Sequence, residues 1–394
     1  MRPFRSLLVA NRGEIACRIL RTARAEGFRT VAVFSDADAG APHAALADEA
    51  VRIGPAPPGE SYLDPERILA AAEATGAEAI HPGYGFLSEN SAFARAATDR
   101  GLVFVGPSPE AVALMGDKAA ARALAEAAGV PVLPGLNDPK ADDAALIAAA
   151  PGIGLPLMVK AAAGGGGRGR RRVEALEDLP EALVLARGEA RAAFGDDALI
   201  LERALDHARH VEVQVLADAH GTVLTLGERD CSVQRRRQKV LEEAPAPGLS
   251  DKTREVLADA ARRLAVAGGY VNAGTAEFLV SPEGDAFFLE MNARLQVEHP
   301  VTEAITGLDL VALQLRAAQG RPLGLAQSDV TFAGHAVEAR LCAEDPSAGF
   351  LPSAGPLRRW RMPEGEGLRV DAGYAEGGEV PAVSDSLMAK VIAH

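Results

Sequence analysis

Short apolar runs alternate with amphipathic stretches at the start of the chain. Ser6–Ala10 has the pattern of a buried strand, apolar residues recur at helical spacing from Ile15 to Leu20, and Thr30–Phe34 has the pattern of a second strand. This strand–helix–strand order predicts a parallel sheet. The segment lacks the G-x-G-x-x-G motif, which disfavours a dinucleotide-binding dehydrogenase.

The same periodicities predict further elements along the whole chain. Helical spacing marks Pro65–Ala74, Pro109–Met115, Ala119–Ala128, Leu179–Ala193, Ser250–Ala267 and Val311–Ala318. Strand patterns cover Ala77–His81, Leu102–Val105, Leu157–Lys160, Ala198–Leu205, Val211–Leu216, Phe332–Cys342, Arg358–Arg361, Arg369–Asp371 and Lys390–Ala393. The order predicts an α/β protein with a parallel sheet first and a β-rich part last. Because an apolar strand pattern runs to His394 without a cap, we expect a truncated chain or a fragment.

Two apolar runs late in the chain predict a hairpin. Ala276–Val280 and Ala286–Met291 flank a stretch with the proline, glycine and acidic residues of a turn. If Glu283-Gly284 is a two-residue loop, Ser281 faces Ala286 across the ladder.

That register also sets Glu277 opposite Glu290. Two carboxylates directly across a ladder repel each other, whereas a bound Mg²⁺ or Mn²⁺ would turn them into a site of hard oxygen ligands. The alternative is an exposed hairpin edge with a solvated polar face. The period of two places Glu290, Asn292, Arg294 and Gln296 on one face of the second strand, and Leu289 and Met291 on a core face.

A glycine-rich segment lies inside a small predicted subdomain that runs from Gly152 to about Leu205. The string AAAGGGGRGRRR follows the strand that ends at Lys160. Consecutive glycines let backbone amides approach anionic oxygens, and a lysine adds a point charge, so a phosphate-covering lid is favoured over a flexible linker. The segment is not a Walker A loop, because the G-K-[ST] ending is missing.

Composition narrows the function classes. A length of 394 residues suits two or three domains, and 48% hydrophobic with 24% charged residues is typical of a globular protein. The net charge of -13 argues against nucleic acid as the main partner. Cys17, Cys231 and Cys342 are scattered without a CxxC motif, so we expect reduced thiols in a cytoplasmic protein. No apolar run approaches the length of a signal peptide core or a membrane span.

Several motifs in collinear order resemble one family. The string E-x-N-x-R-x-Q-V-E-H at Glu290–His299 is similar to the signature of biotin carboxylases, within the ATP-grasp superfamily. VANRGEIA, HPGYGFLSEN, G-D-K, R-D-C-S-x-Q-R-R-x-Q-K and E-A-R-L-x-A-E-D-P match in the same order. The resemblance implies an N-terminal preATP-grasp domain over 1–115 and an ATP-grasp domain over 116–325, with a lid at about 133–204. It implies an incomplete biotin carboxylase C-terminal domain over 331–394.

The resemblance also implies roles for individual residues. The metal ligands are Glu277, Glu290 and Asn292. The bicarbonate-binding residues are Lys239, Arg294, Gln296, Val297 and Glu298, with Glu298 as the base. The ATP-binding residues are Lys118, Lys160, Gly164, Gly165, Gly166, Gly167, Glu202, Arg203, His210, Gln234, Glu277 and Glu290. Biotin contacts Tyr84 and Arg340, and Arg340 counts with Glu298, Arg294 and Lys239 as catalytic. From sequence alone, Arg340 could equally pair with Glu338 on one strand face.

The implied activity is the carboxylation of biotin on a biotin carboxyl carrier, driven by ATP and Mg²⁺ or Mn²⁺. The implied partners are that carrier, a carboxyltransferase subunit and further copies of the chain, with neither nucleic acid nor membrane. Two alternatives remain: another bicarbonate-phosphorylating ATP-grasp ligase, similar to carbamoyl-phosphate synthetase, and an inactive nucleotide-binding fragment. Arg170 and Arg237 depart from the usual family residues, and Arg203 stands where lysine is commoner.

Overall fold

The computed structural model describes residues 3–162 and 170–394. Its first region is a parallel sheet with helices between the strands. The elements are β1 (Ser6–Val9), α1 (Gly13–Ala25), β2 (Arg29–Ser35), α2 (Pro42–Leu46), β3 (Glu49–Gly54), α3 (Pro65–Thr75), β4 (Ala79–His81), α4 (Ser91–Asp99) and β5 (Val103–Phe104). The strand order is β3-β2-β1-β4-β5 with parallel pairs throughout, which confirms the predicted opening. Loops after β1 and β4 leave at the carboxyl edge of this sheet, where ligands of such sheets gather.

A second region forms a small antiparallel sheet. Helices α5 (Pro109–Gly116) and α6 (Lys118–Ala127) precede it and pack in the core of the large sheet described below. The elements of the small subdomain are β6 (Gly135–Leu136), α7 (Asp143–Ile153), β7 (Leu157–Ala161), β8 (Arg170–Val173), α8 (Leu179–Phe194) and β9 (Leu199–Arg203). The strand order is β6-β9-β7-β8. Leu157, Val159, Leu183 and Leu201 are buried in one cluster, so this subdomain has a core of its own. The predicted glycine loop at Gly164–Gly167 lies outside the described residues.

The remaining elements form one large sheet with its helices, and two separate two-stranded sheets. They are β10 (Arg209–Ala217), β11 (Val223–Arg235), β12 (Gln238–Ala244), α9 (Asp251–Ala267), β13 (Asn272–Val280), β14 (Ala286–Asn292), α10 (His299–Thr306), α11 (Leu310–Ala318), β15 (Ala336–Cys342), β16 (Glu344–Asp345), β17 (Leu351–Pro352), β18 (Gly355–Pro356), β19 (Leu368–Ala372), β20 (Glu379–Val380) and β21 (Leu387–Ala393). The strand order β14-β13-β10-β11-β12-β15-β21-β19 runs without a break from the predicted hairpin to the β-rich end. The boundaries proposed at 115, 325 and 331, and the lid limits, stay predictions.

Helix α9 covers one face of the large sheet. The side chain of Ser250 caps it by accepting a hydrogen bond of 3.1 Å from the Thr253 N–H. Leu257, Ala261 and Leu264 recur at helical spacing and are fully buried against the sheet. Complete burial of each leucine stabilises the fold by about 1.5–3 kcal/mol. The predicted helix over Ser250–Ala267 is therefore confirmed.

The predicted hairpin forms with a different loop. Val280, not Ser281, faces Ala286, and the Ser281 N–H donates to the Asp285 carbonyl at 2.8 Å, so the connection is longer than two residues. A register shift between Glu277 and Phe278 restores the expected Glu277–Glu290 pair.

Three smaller expectations also need correction. Arg358–Arg361 is not a strand, and the strand expected from Phe332 begins at Ala336. Leu289, expected on a core face, lies beside the hairpin irregularity and is half-buried at the wall of a cleft, whereas Met291 is buried as predicted. Within the described ranges, each helix falls short of the length or apolarity needed to cross a bilayer.

Candidate functional site

A cleft of about 660 Å³ lies along the large sheet and opens toward the small subdomain. Its wall includes residues from every region of the chain. Among the predicted site residues, it is lined by Tyr84, Lys160, Arg203, His210, Gln234, Lys239, Glu277, Glu290, Asn292, Arg294, Gln296, Val297 and Arg340. Strands and turns far apart in sequence thus bring most of the predicted set to one surface.

Lys239 is the electrostatic centre of the cleft. Its ammonium lies 2.6 Å from Glu212, 2.9 Å from Glu277 and 2.7 Å from Glu298. Burial disfavours the charged amine, but the three carboxylates outweigh burial and raise the pKa of Lys239 well above its usual value. Arg229, fully buried, lies 2.6 Å from Glu212 and adds a second cation beneath them.

Glu298 is fully buried and lies between two cations, Lys239 and Arg340, that line the cleft. One oxygen accepts from Lys239, and the other lies 3.0 Å from Arg340. Burial opposes ionisation of Glu298, yet Lys239 and Arg340 prevail and hold its pKa well below the usual range. Arg340 does not pair with Glu338; its Nε donates to Glu242 at 2.6 Å instead. The predicted base is therefore ionised at neutral pH and fixed in position.

Arg294 lies just beyond the end of β14 and gathers the polar residues around it. It donates to Asn292 Oδ1 at 3.0 Å and to Gln296 Oε1 at 2.8 Å. Its Nε donates to Glu89, which comes from the loop after β4, at 2.8 Å. The expected one-sided polar face thus exists, although Arg294 and Gln296 follow the strand rather than belong to it.

The predicted metal ligands have suitable chemistry. Glu277 and Glu290 are ladder partners, and Asn292 donates to Glu277 at 2.7 Å, so the set offers only carboxylate and amide oxygens. Such donors fit Mg²⁺ or Mn²⁺. Burial would raise the pKa of Glu277, but Lys239 and His210 outweigh burial and hold it well below the ordinary value. An ionised Glu277 suits a cation, although one of its oxygens lies 2.9 Å from Lys239 and the other 2.9 Å from His210.

Charged groups also meet at the end of the cleft nearer the small subdomain. Lys160 forms an ion pair with Glu202, and Arg122 Nη1 lies 3.1 Å from the same carboxylate. Lys118 and Glu290 share a smaller cavity with these residues. Burial lowers the pKa of Lys118, and nearby Glu290 offsets part of that effect. The smaller cavity, which shares Lys160 and Glu290 with the cleft, therefore offers two amines and two carboxylates at one place.

Three further predicted residues border the cleft with defined contacts. Gln234 donates to the Cys231 carbonyl at 2.8 Å and contacts the His210 ring at 3.0 Å. The Arg203 N–H donates to the Pro134 carbonyl at 2.8 Å, so that N–H is already engaged. The hydroxyl of Tyr84 donates to Glu14.

Sequence reasoning missed several members of this network. Glu212, Glu242, Arg122 and Glu89 pair with predicted site residues, and Arg229 pairs with Glu212, but none of the five was singled out. One signal was available: Glu212 and Arg229 are charged residues within apolar strand patterns, and they pair across the ladder.

Three known protein families match successive parts of the chain. Residues 3–112 match the family described as biotin carboxylase, N-terminal domain. Residues 117–326 match the ATP-binding domain of the carbamoyl-phosphate synthase L chain, and residues 338–394 match the biotin carboxylase C-terminal domain.

Individual relatives cover nearly the whole chain. It is 50% identical to Biotin carboxylase 2 of Bacillus subtilis, over 99% of this chain and 87% of that one. It is 48% identical to the propionyl-CoA carboxylase alpha chain of Ruegeria pomeroyi, over 98% of this chain but 60% of that one. The biotin carboxylase domain dimer of Hydrogenobacter thermophilus 2-oxoglutarate carboxylase, solved with MgADP, ADP and bicarbonate, matches with a TM-score of 0.96 at 45% identity, over 100% of this chain and 86% of that one. The chain belongs to the biotin carboxylase family.

Proposed function

We propose that the chain catalyses the ATP-dependent carboxylation of biotin with bicarbonate, through carboxyphosphate. The observation that carries this proposal is the position of Glu298, held between Lys239 and Arg340, which both line the cleft. A fixed, ionised carboxylate beside cations suits the deprotonation of a small anion. A smaller cavity, which shares Lys160 and Glu290 with the cleft, offers the lysines and carboxylates that suit a nucleotide.

In the first step, Lys239, Arg294, Gln296 and the backbone of Val297 hold bicarbonate, and Glu298 removes its proton. Bicarbonate competes with Glu298 for the positive charge of Lys239, which restores basicity to the carboxylate at the moment of binding. The freed oxygen attacks the γ-phosphorus of ATP, and the bond to ADP breaks. Glu298 later returns the proton to solvent.

The phosphates need positive charge and exact placement more than covalent chemistry. Lys118 and Lys160 supply two amines, and the glycine segment Gly164–Gly167 covers the phosphates. Glu277, Glu290 and Asn292 would hold Mg²⁺, which neutralises phosphate charge. Glu202 accepts from the adenine amino group, with Arg203, His210 and Gln234 along the nucleoside.

In the last step, carboxyphosphate breaks into CO₂ and phosphate. The phosphate takes the ureido N–H proton of biotin, Arg340 stabilises the negative enolate oxygen, and the nitrogen attacks CO₂. Tyr84 borders the biotin position. The enolate is stabilised by a guanidinium that two carboxylates already hold in place.

The biotin belongs to a carrier, and we propose that the chain works as the biotin carboxylase component of an acyl-CoA carboxylase. Relatives named as alpha chains support a carrier and a carboxyltransferase as partners. A homo-oligomer and a cytoplasmic location complete the proposal, and the three free cysteines suit such a location.

Phosphate release from ATP tests this function. We expect release with Mg²⁺ and bicarbonate to rise severalfold when free biotin is added, because the biotin nitrogen captures CO₂ and thereby draws the breakdown of carboxyphosphate forward, while phosphate is released. Omission of bicarbonate is the control. Release that depends on bicarbonate but not on biotin would instead favour a ligase similar to carbamoyl-phosphate synthetase, which the match at residues 117–326 keeps as a second candidate. Nucleotide binding without release would indicate an inactive fragment.

Glu202→Gln should weaken ATP binding about tenfold or more, because a hydrogen bond to a charged group contributes about 1.5–3 kcal/mol. We expect the KM for ATP to rise and the preference for ATP over GTP to fall, since an amide can donate to the guanine oxygen. The matched control is Glu189→Gln, which removes an exposed ion pair with Arg171 in the same subdomain. Unchanged discrimination between ATP and GTP would contradict a contact with adenine.

A further inference from the structure

Two buried carboxyl groups face each other beside Arg340. Glu242 on β12 and Glu338 on β15 are direct partners across an antiparallel ladder. Their side chains are about 1% or less exposed. Partners in such a ladder have Cβ atoms about 4.5–5.5 Å apart, so two negative charges here would repel strongly in a dry interior.

Three of the four carboxyl oxygens of this pair lack a hydrogen-bond partner in the described part of the chain. Glu242 Oε1 accepts from Arg340, whereas Glu242 Oε2 and both oxygens of Glu338 are buried without a hydrogen-bond partner in the described part of the chain. Unsatisfied buried oxygens are costly. A single proton on Glu338 would remove the excess charge and provide a donor for Glu242 Oε2.

The charged groups around the pair also favour a state in which Glu242 and Glu338 together hold one proton. Arg340 already serves Glu242 and Glu298, and Lys390 bonds to the Val297 carbonyl and lies 3.2 Å from Glu14. Burial raises the pKa of Glu338 well above its usual value, more than Lys390 lowers it, and burial raises the pKa of Glu242 to about 7. The ionisable groups that surround the pair are Lys239 and Arg340 on the same two strands, Cys231 in β11, Lys390 in β21, Glu298 just before α10, and Tyr84 after β4.

We propose that Glu242 is a positioning residue for Arg340, and that Glu338 is a neutral acid that donates to Glu242, so the pair carries one negative charge. The inference rests on the proposed function, because Arg340 acts there on the biotin enolate. Glu242 keeps the guanidinium in place while Glu298 exchanges its proton with bicarbonate. Without Glu242, the guanidinium of Arg340 would have Glu298 as its one remaining carboxylate partner among the described residues, and its position would change when Glu298 takes up a proton.

Variants of the two residues separate this proposal from a merely structural role. Glu242→Gln should lower kcat with free biotin about 10- to 100-fold and leave the KM for ATP unchanged, because a displaced guanidinium affects the reacting centre and not the nucleotide. Glu338→Gln should keep most of kcat, since its amide can donate to Glu242 as the acid does. The matched control is Glu243→Gln, which faces the exposed His335. If Glu242→Gln does not fold, Glu242→Asp should show the same split to a smaller degree.

A measurement of stability tests, independently of activity, whether Glu338 is protonated in the folded protein. A carboxyl group with a raised pKa in the folded state stabilises the fold at low pH and loses that contribution as pH rises. The Tm of Glu338→Gln minus that of the wild type should therefore increase by about 3 °C as the pH is raised from 5.5 to 8.5. If the difference in Tm is the same at both pH values, Glu338 is not a neutral acid. If Glu242→Gln and Glu243→Gln have the same kcat and KM, Glu242 does not position Arg340. If the wild type shows no biotin-dependent phosphate release, the proposed function is wrong. The comparison of Tm values would still test whether Glu338 is protonated.

Discussion

Replacement of Glu298 by glutamine should lower biotin-dependent turnover about 10²- to 10⁴-fold, the usual contribution of a positioned general base. The amide keeps the shape of the side chain but cannot accept the bicarbonate proton. Lys239 retains Glu212 and Glu277 as partners, so the fold should tolerate the change. The measurement is the rate of phosphate release, together with the dissociation constant of ATP, which should stay within about twofold of the wild type.

The control for this variant is Glu283→Gln in the exposed hairpin loop, which should retain full turnover. Normal turnover in Glu298→Gln would sink the role of this residue as the base. A parallel loss of ATP affinity and turnover would point to a collapsed site instead of lost proton transfer.

Lys239→Met should destabilise the protein by about 3–5 kcal/mol at neutral pH, because removal of one partner leaves buried charges uncompensated. Three carboxylates depend on this ammonium, and the other basic groups near them are Arg229, Arg340 and the imidazole of His210. Denaturant unfolding at pH 7 measures the loss. The exposed Lys252→Met is the control and should change stability by about 0.5 kcal/mol or less.

The loss in Lys239→Met should depend on pH in one direction. Glu277 and Glu298 have lowered pKa values in the folded state, so their stabilising contributions are present above about pH 4.5 and disappear as pH falls further. The difference between variant and wild type should therefore shrink in acid. A difference that is equal at pH 7 and pH 4 would mean that packing, and not charge, explains the effect of Lys239.

The parallel opening and the major helices could be predicted from periodicity, because each depends on local spacing of apolar residues. Register was harder. The Glu277–Glu290 pair was obtained from a loop that is too short, and the irregularity after Glu277 happens to cancel that error. A bulge depends on packing against neighbouring strands, so local sequence does not determine it. The same bulge explains why Leu289 was assigned to the core.

The chemistry of the site was visible in motifs, whereas its supporting network was not. Glu212 meets Arg229 only through strand pairing, and Glu242 meets Glu338 only because β12 pairs with β15 across a long connection. Charged residues in buried strands mark such networks in sequence, but they do not name the partner. Arg358–Arg361 illustrates the reverse error, in which a short run without a pairing partner was taken for a strand.

The unbroken eight-stranded sheet limits how this chain can be recombined with its relatives. A chimaera joined between residues 325 and 331 would combine β12 from one parent with β15 from another, and with them the two halves of the Glu242–Glu338 pair and of the Arg340 anchor. The small antiparallel sheet over residues 135–203 has its own strands and its own core, so it is the more natural unit of exchange. In evolutionary terms, we expect the C-terminal part and the strands before it to vary together, while the small subdomain can be inherited as a module.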